Sequence, residues 1–210
     1  MTTIGIVGAG TMGAEIALVA ALAGMDVLLA DADHERAEAG RARALATGAR
    51  LAERGRRDPA DVEACAGRIH AVDGIAALAP AGIVIEAVPE DLALKARVHE
   101  QIDAAVAHDA LVATNTSGLS VTALADGTSS PGRLVGLHFF NPAATMQLVE
   151  VIAGAATTED TVARALALAA DLGKTPVRVR ECPGFVVNRV LVRAMAEAFR
   201  SGNLGVMDYY

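Results

Sequence analysis

The 210-residue sequence contains no tryptophan, and phenylalanine and tyrosine together make up only 3% of it. That excludes a core built on large aromatic rings, so 46 alanines together with valine, leucine and isoleucine must form it. Hydrophobic residues nevertheless reach 53%, too many for a disordered chain, which cannot bury enough apolar surface to offset its ordering entropy. Cysteine is almost absent. Cys65 and Cys182 stand far apart without the paired spacing of a zinc site, so free structural thiols and no metal site are expected. Lysine is reduced to Lys95 and Lys174, and 18 basic residues face 25 acidic ones for a net charge of −7. Without an overall basic field, neither a nucleic-acid nor a membrane partner is expected.

Long apolar runs are missing too. The longest, Ile16 to Met25, ends at charged residues and is half of the roughly 20 residues that span a bilayer. The start, Met-Thr-Thr-Ile-Gly-Ile-Val, lacks the basic region and cleavage site of a secretory signal, so a cytoplasmic location is expected. The length leaves room for one full domain plus a fragment.

What is present is an alternation. Short β-branched or apolar runs at Thr3–Val7, Asp26–Ala30, Arg68–Val72, Gly82–Val88 and Leu111–Thr114 read as strands. Between them, segments from Met12, Asp33, Pro59 and Leu92 read as helices, the second extending to about Arg57. Further strands are expected at Leu134–Phe140, Leu148–Ile152 and Thr175–Val179, with a helix from Thr158 to Leu172. This pattern predicts an α/β fold of the Rossmann type, a doubly wound, mostly parallel sheet with helices on both faces. After the break at Cys182-Pro183-Gly184, Phe185–Arg200 is strongly helical. The predicted organisation is a cofactor domain over 1–183 and the opening helix of a truncated all-α domain over 184–210.

Gly8-Ala9-Gly10-Thr11-Met12-Gly13 is G-x-G-x-x-G between a predicted strand and a predicted helix, the setting the dinucleotide fingerprint requires. In that motif the first glycine permits the turn, the second lets the backbone approach a pyrophosphate, and the third allows close helix packing. Asp31 ends the second predicted strand, where a carboxylate accepts from ribose hydroxyls and disfavours a 2′-phosphate; NAD is therefore the expected cofactor. A second constellation is His138-Phe139-Phe140-Asn141-Pro142, with Glu150 twelve positions after the histidine. A histidine suits proton transfer near neutrality and a carboxylate can fix its tautomer, but spacing alone does not bring the two together. Asn115-Thr116-Ser117 follows another strand, at an end where ligands bind in such sheets.

With these motifs in order, and with Glu86-Ala87-Val88-Pro89-Glu90, Leu148-Val149-Glu150-Val151-Ile152 and Pro183-Gly184-Phe185-Val186-Val187-Asn188-Arg189, the sequence resembles the 3-hydroxyacyl-CoA dehydrogenase family, which includes bacterial 3-hydroxybutyryl-CoA dehydrogenases. The resemblance runs over residues 3 to 200. It implies that His138 is the general base, that Glu150 orients it and stabilises its imidazolium form, and that Ser117 and Asn188 hold the substrate oxygen and the catalytic water or histidine in place. It implies cofactor contacts from Asp31, Glu90, Lys95 and Asn141, and an acyl-CoA as substrate.

Three departures from the family pattern stand out. Gly118 replaces a second serine after Ser117, and the helix after Asp33 carries Arg41, Arg43, Arg50, Arg54, Arg56 and Arg57 in a region where the family makes basic contacts to coenzyme A. Family members continue into a helical domain that closes over acyl-CoA and builds a dimer interface, whereas here residues 201–210 change texture, with no alanine and both tyrosines. The expectations are thus an NAD-dependent 3-hydroxyacyl-CoA dehydrogenase, with a homodimer left in doubt, and, as the alternative, a non-catalytic NAD-binding module. A class resembling 6-phosphogluconate dehydrogenase, which depends on a catalytic lysine, ranks behind both.

Overall fold

The computed structural model describes residues 2–201; the change of texture beyond Ser201 lies outside the described residues. Eight strands form one sheet: β1 (Thr3–Val7), β2 (Asp26–Ala30), β3 (Ile69–Val72), β4 (Ile83–Glu86), β5 (Leu111–Thr114), β6 (Leu134–Phe139), β7 (Leu148–Ala153) and β8 (Thr175–Arg180). Their order is β3-β2-β1-β4-β5-β6-β7-β8. All neighbours are parallel except β6 and β7. The Rossmann-type, doubly wound reading of the sequence is the fold observed.

The chain winds outward from β1 to β3, then returns to lay β4 on the other side of β1. This reversal opens a crevice at the carboxyl ends of β1 and β4, the place where open α/β sheets bind ligands. The central strands are apolar because both faces are covered: Ile4, Ile6, Val27, Leu29, Val84 and Ile85 are completely buried. Each such side chain contributes about 1.5–3 kcal/mol by leaving water.

The helices are α1 (Thr11–Leu22), α2 (His34–Glu53), α3 (Pro59–Cys65), α4 (Leu92–Ala105), α5 (Val121–Ala125), α6 (Glu159–Asp171) and α7 (Val187–Arg200). Helix α1 lies between the sheet and α2, with Ile16, Ala17, Leu18, Ala20 and Ala21 buried completely. Alanine and glycine permit this close layering: a Cβ on Gly40 of α2 would fall 2.4 Å from the Cβ of Ala9. Helix α2 stops short of Arg57 because Gly55 takes φ +66 and turns the chain out of the helix. Among the described residues, five of the seven helices begin under a side-chain cap, from Asp33, Asp58, Asp91, Ser120 and Thr158. The first turns of α1 and α7 have no cap from their own N-cap residue, and both lie at the functional site.

Candidate active site

A cleft of about 520 Å³ opens at the carboxyl ends of the strands. Gly10, Thr11 and Met12 line one part, and Glu90, Asn115, Ser117, His138, Asn141 and Asn188 line the rest. Parallel strand order explains the convergence, since the loops after β1, β4, β5 and β6 all emerge at one edge of the sheet.

The three glycines of the first loop are there for different reasons. Gly8 has φ +96, and a Cβ on it would sit 2.7 Å from the backbone of Ala87. A Cβ on Gly13 would collide with the Gly8 carbonyl oxygen at 1.7 Å. Gly10 has an ordinary φ of −65, and a Cβ there would meet nothing within 4 Å. Its missing side chain therefore leaves open space at the start of α1, whose first N–H groups have no intrahelical partners. That space and those donors, at the positive end of the helix dipole, fit a diphosphate. Asp31 is half-buried beside the loop: its carboxylate accepts from the N–H of Ala9 at 2.6 Å and of Ala32 at 2.7 Å. Asp31 thus braces the glycine loop, and it does not line the cleft itself.

His138 and Glu150 face each other as directly paired residues of the antiparallel strands β6 and β7. Nδ1 of His138 is 2.8 Å from Oε2 of Glu150, and the two residues are 5% and 1% exposed. Oε1 of Glu150 accepts from the N–H of Val186 and of Val187. A carboxylate is acceptor only, so its contact with the ring assigns the proton to Nδ1 and leaves Nε2 as the free acceptor. Phe140 and Phe185 flank the imidazole at centroid distances of 4.4 and 5.7 Å. Both rings lie within motifs quoted from the sequence, Phe140 two positions after the histidine and Phe185 in the Pro183–Arg189 stretch, but neither is assigned a role there.

Glu90 grips the loop after β5. Its Oε1 accepts from the Thr116 hydroxyl at 2.7 Å, the Ser117 N–H at 2.8 Å and the Ser117 hydroxyl at 3.0 Å. Burial pushes its carboxyl up, but these hydrogen bonds and the Lys95 charge outweigh that and hold it below the usual carboxylate range. Asn188, on α7, donates from Nδ2 to the Ser117 carbonyl at 3.2 Å.

Lys95 does not reach the cleft. It is 1% exposed, and its Nζ donates to Glu86 Oε1 at 2.7 Å and the Val88 carbonyl at 3.0 Å, with Glu90 Oε2 3.5 Å away. The reason is Glu86, a completely buried carboxylate at the end of β4 that needs compensating donors; Thr114 and His99 supply two more. Two of the α2 arginines are likewise committed: Arg41 to the carbonyls of Ile69 and Ala66, and Arg43 to that of Ala9.

The family model for "3-hydroxyacyl-CoA dehydrogenase, NAD binding domain" matches residues 3–182. The chain belongs to the 3-hydroxyacyl-CoA dehydrogenase family. NAD is the cofactor of this NAD-binding domain. The chain is 43% identical over 193 residues to the "Probable 3-hydroxybutyryl-CoA dehydrogenase" of Bacillus subtilis (strain 168), covering 92% of this chain and 67% of that one. It is also 43% identical to the 3-hydroxyadipyl-CoA dehydrogenase of Escherichia coli (strain K12), spanning 42% of that protein. Against the fatty acid oxidation complex subunit alpha of Psychrobacter arcticus it spans 26%. The crystal structure of (S)-3-hydroxybutyryl-CoA dehydrogenase PaaH1 from Ralstonia eutropha superposes with a TM-score of 0.92 at 40% identity, over 98% of this chain and 73% of that one. In this 3-hydroxyacyl-CoA dehydrogenase family member, the described residues contain no group of three or more His, Cys, Asp or Glu placed to hold a metal ion. No helix among them is long and apolar enough to cross a membrane.

Proposed function

We propose that the chain carries the chemistry of an NAD-dependent 3-hydroxyacyl-CoA dehydrogenase, oxidising a (3S)-3-hydroxyacyl-CoA to the 3-oxoacyl-CoA and catalysing the reverse. The observation that carries this reading is the His138–Glu150 pair, 2.8 Å apart and buried, in the same cleft as the α1 N-terminus. NAD supplies a nicotinamide carbon that takes or returns a hydride.

The protein's part is the proton and the geometry. Losing a hydride from the alcohol carbon leaves positive character that must be relieved by losing the hydroxyl proton. Nε2 of His138 accepts that proton while Nδ1–H keeps donating to Glu150, whose negative charge stabilises the imidazolium. In reverse, the imidazolium returns the proton and polarises the ketone. Phe140 and Phe185 shield the ring from water and hold its plane. The Ser117 hydroxyl and the Asn188 amide orient the substrate oxygen, with Glu90 fixing Ser117 in turn. Asp31, Asn141 and the loop from Gly8 to Gly13 position the cofactor. Lys95 serves the same end indirectly, by holding Glu90.

The test is NADH oxidation with acetoacetyl-CoA, run beside NADH binding on the same sample. Turnover supports the reading; NADH binding without turnover rejects it for this chain. That second outcome would favour a cofactor-binding module.

A further inference from the structure

Glu150 has two oxygens, and the proton chemistry uses one. The other, Oε1, accepts from the N–H of Val186 at 3.0 Å and of Val187 at 3.1 Å, the first turn of α7. This helix begins at Val186, a residue with no capping side chain, where helices ordinarily carry Ser, Thr, Asp or Asn. Glu150 supplies the missing cap from a different element, 36 residues upstream. The approach is sharply bent to achieve this. Gly184 has φ +72 and Phe185 φ +49, the latter a conformation bulky side chains rarely adopt. The bend also buries the Phe185 ring against the imidazole. From the next residues of the same turn, Asn188 reaches the Ser117 carbonyl. One turn of α7 therefore touches Glu150, His138 and the Ser117 loop together.

We infer that the first turn of α7 is a positioning element for the base: the paired N–H groups of Val186 and Val187 pin Glu150 so that its second oxygen meets Nδ1 of His138. This rests on His138 being the base, and it makes the seating of α7 a condition of the correct ring tautomer. The glutamate side chain has three rotatable torsions. Fixing one oxygen on two converging donors, at the positive end of a helix, leaves the other oxygen one place to go. Displacing α7 releases Glu150, and the imidazole loses the acceptor that keeps its proton on Nδ1. A cap that merely holds the helix has no such effect on the ring.

Glu150→Gln separates the two roles. The amide has a single acceptor oxygen for three N–H groups. With α7 as the anchor, that oxygen stays on Val186 and Val187, the amide NH2 turns to the ring, and the ring proton moves to Nε2. Nitrogen-15 spectra of the histidine-labelled full chain read the tautomer directly. The expected result is the Nε2–H form of His138 with NADH affinity within twofold of wild type; retention of the Nδ1–H form overturns the proposal. A second variant removes one donor and no side chain. The full chain is assembled by ligation at Cys182 with Val187 joined through an ester in place of its amide, beside an all-amide control. The expected result is a shifted Nδ1–H resonance for His138 and about a tenfold lower kcat with acetoacetyl-CoA at unchanged KM for NADH. An unmoved resonance in a folded chain overturns the proposal. If the all-amide control shows no turnover, the proposed activity fails, while the resonance still decides the link from α7 to His138.

Discussion

Gly10→Ala separates the cofactor's needs from those of the fold. The added methyl meets no protein atom within 4 Å, and the backbone at φ −65 already suits alanine. Replacing glycine at such a position stabilises by about 0.4–1 kcal/mol through the unfolded chain, and losing glycine, a much better N-cap than alanine, offsets a comparable amount. For a chain of this size the melting temperature should then move by no more than about 2–4 °C. The methyl instead fills the space beside the free N–H groups of α1. A diphosphate held off by that volume loses at least one hydrogen bond to a charged group, worth about 1.5–3 kcal/mol, or roughly a 10- to 150-fold rise in Kd. NADH fluorescence titration and a thermal melt on one preparation measure both effects. Gly13→Ala is the contrasting control, because its Cβ would lie 1.7 Å from the Gly8 oxygen; there the melt itself should fall. An NADH affinity for Gly10→Ala within twofold of wild type would refute the assignment of this space to the cofactor.

Lys95→Met leaves the Glu86 carboxylate completely buried without its cation. Removing one partner of such a pair costs about 3–5 kcal/mol, so the melting temperature should drop by about 6–20 °C; a change under 2 °C would show that Lys95 is not the partner that matters. Glu181 ties the start of α5 to the segment after β8. Burial raises its carboxyl, but hydrogen bonds from Thr122, Ser120 and the Val121 N–H outweigh this and lower it below the ordinary value. A carboxyl lowered in the folded state supplies stability above its unfolded value of about 4.3, and that stability is lost as pH falls through the folded value. Melts from pH 7 down to pH 3 should show a steep acid loss for wild type and a shallower one for Glu181→Gln; parallel profiles would count against Glu181 as a contributor.

The cofactor half of the molecule was legible in the sequence because its signals are local. The alternation of apolar runs with helical segments gave the sheet, and the spacing of Gly8, Gly10 and Gly13 placed the turn. The half around His138 depends on register. Nothing in twelve intervening residues says that His138 and Glu150 oppose each other; the antiparallel pairing of β6 with β7 does. Lys95 was expected at the cofactor, but the buried demand of Glu86 turns it inward, and sequence patterning does not reveal which way a single lysine turns. Helix α5, five residues under a Ser120 cap, is too short to show a period. The arginine-rich run that predicts α2 as far as Arg57 continues past Gly55, whose positive φ ends the helix. The second duty of Glu150, as the cap of α7, joins residues 36 positions apart and leaves no local trace beyond the absence of a capping residue at Val186.

In the proposed chemistry His138, held by Glu150, moves the substrate proton while contributing nothing to cofactor affinity. The most direct measurement is His138→Gln beside wild type, with NADH binding followed by fluorescence and turnover followed with acetoacetyl-CoA. NADH affinity should stay within about twofold of wild type and, since a positioned general base contributes about 10²–10⁴-fold, kcat should fall by that factor. Turnover at the wild-type rate in His138→Gln would contradict that role.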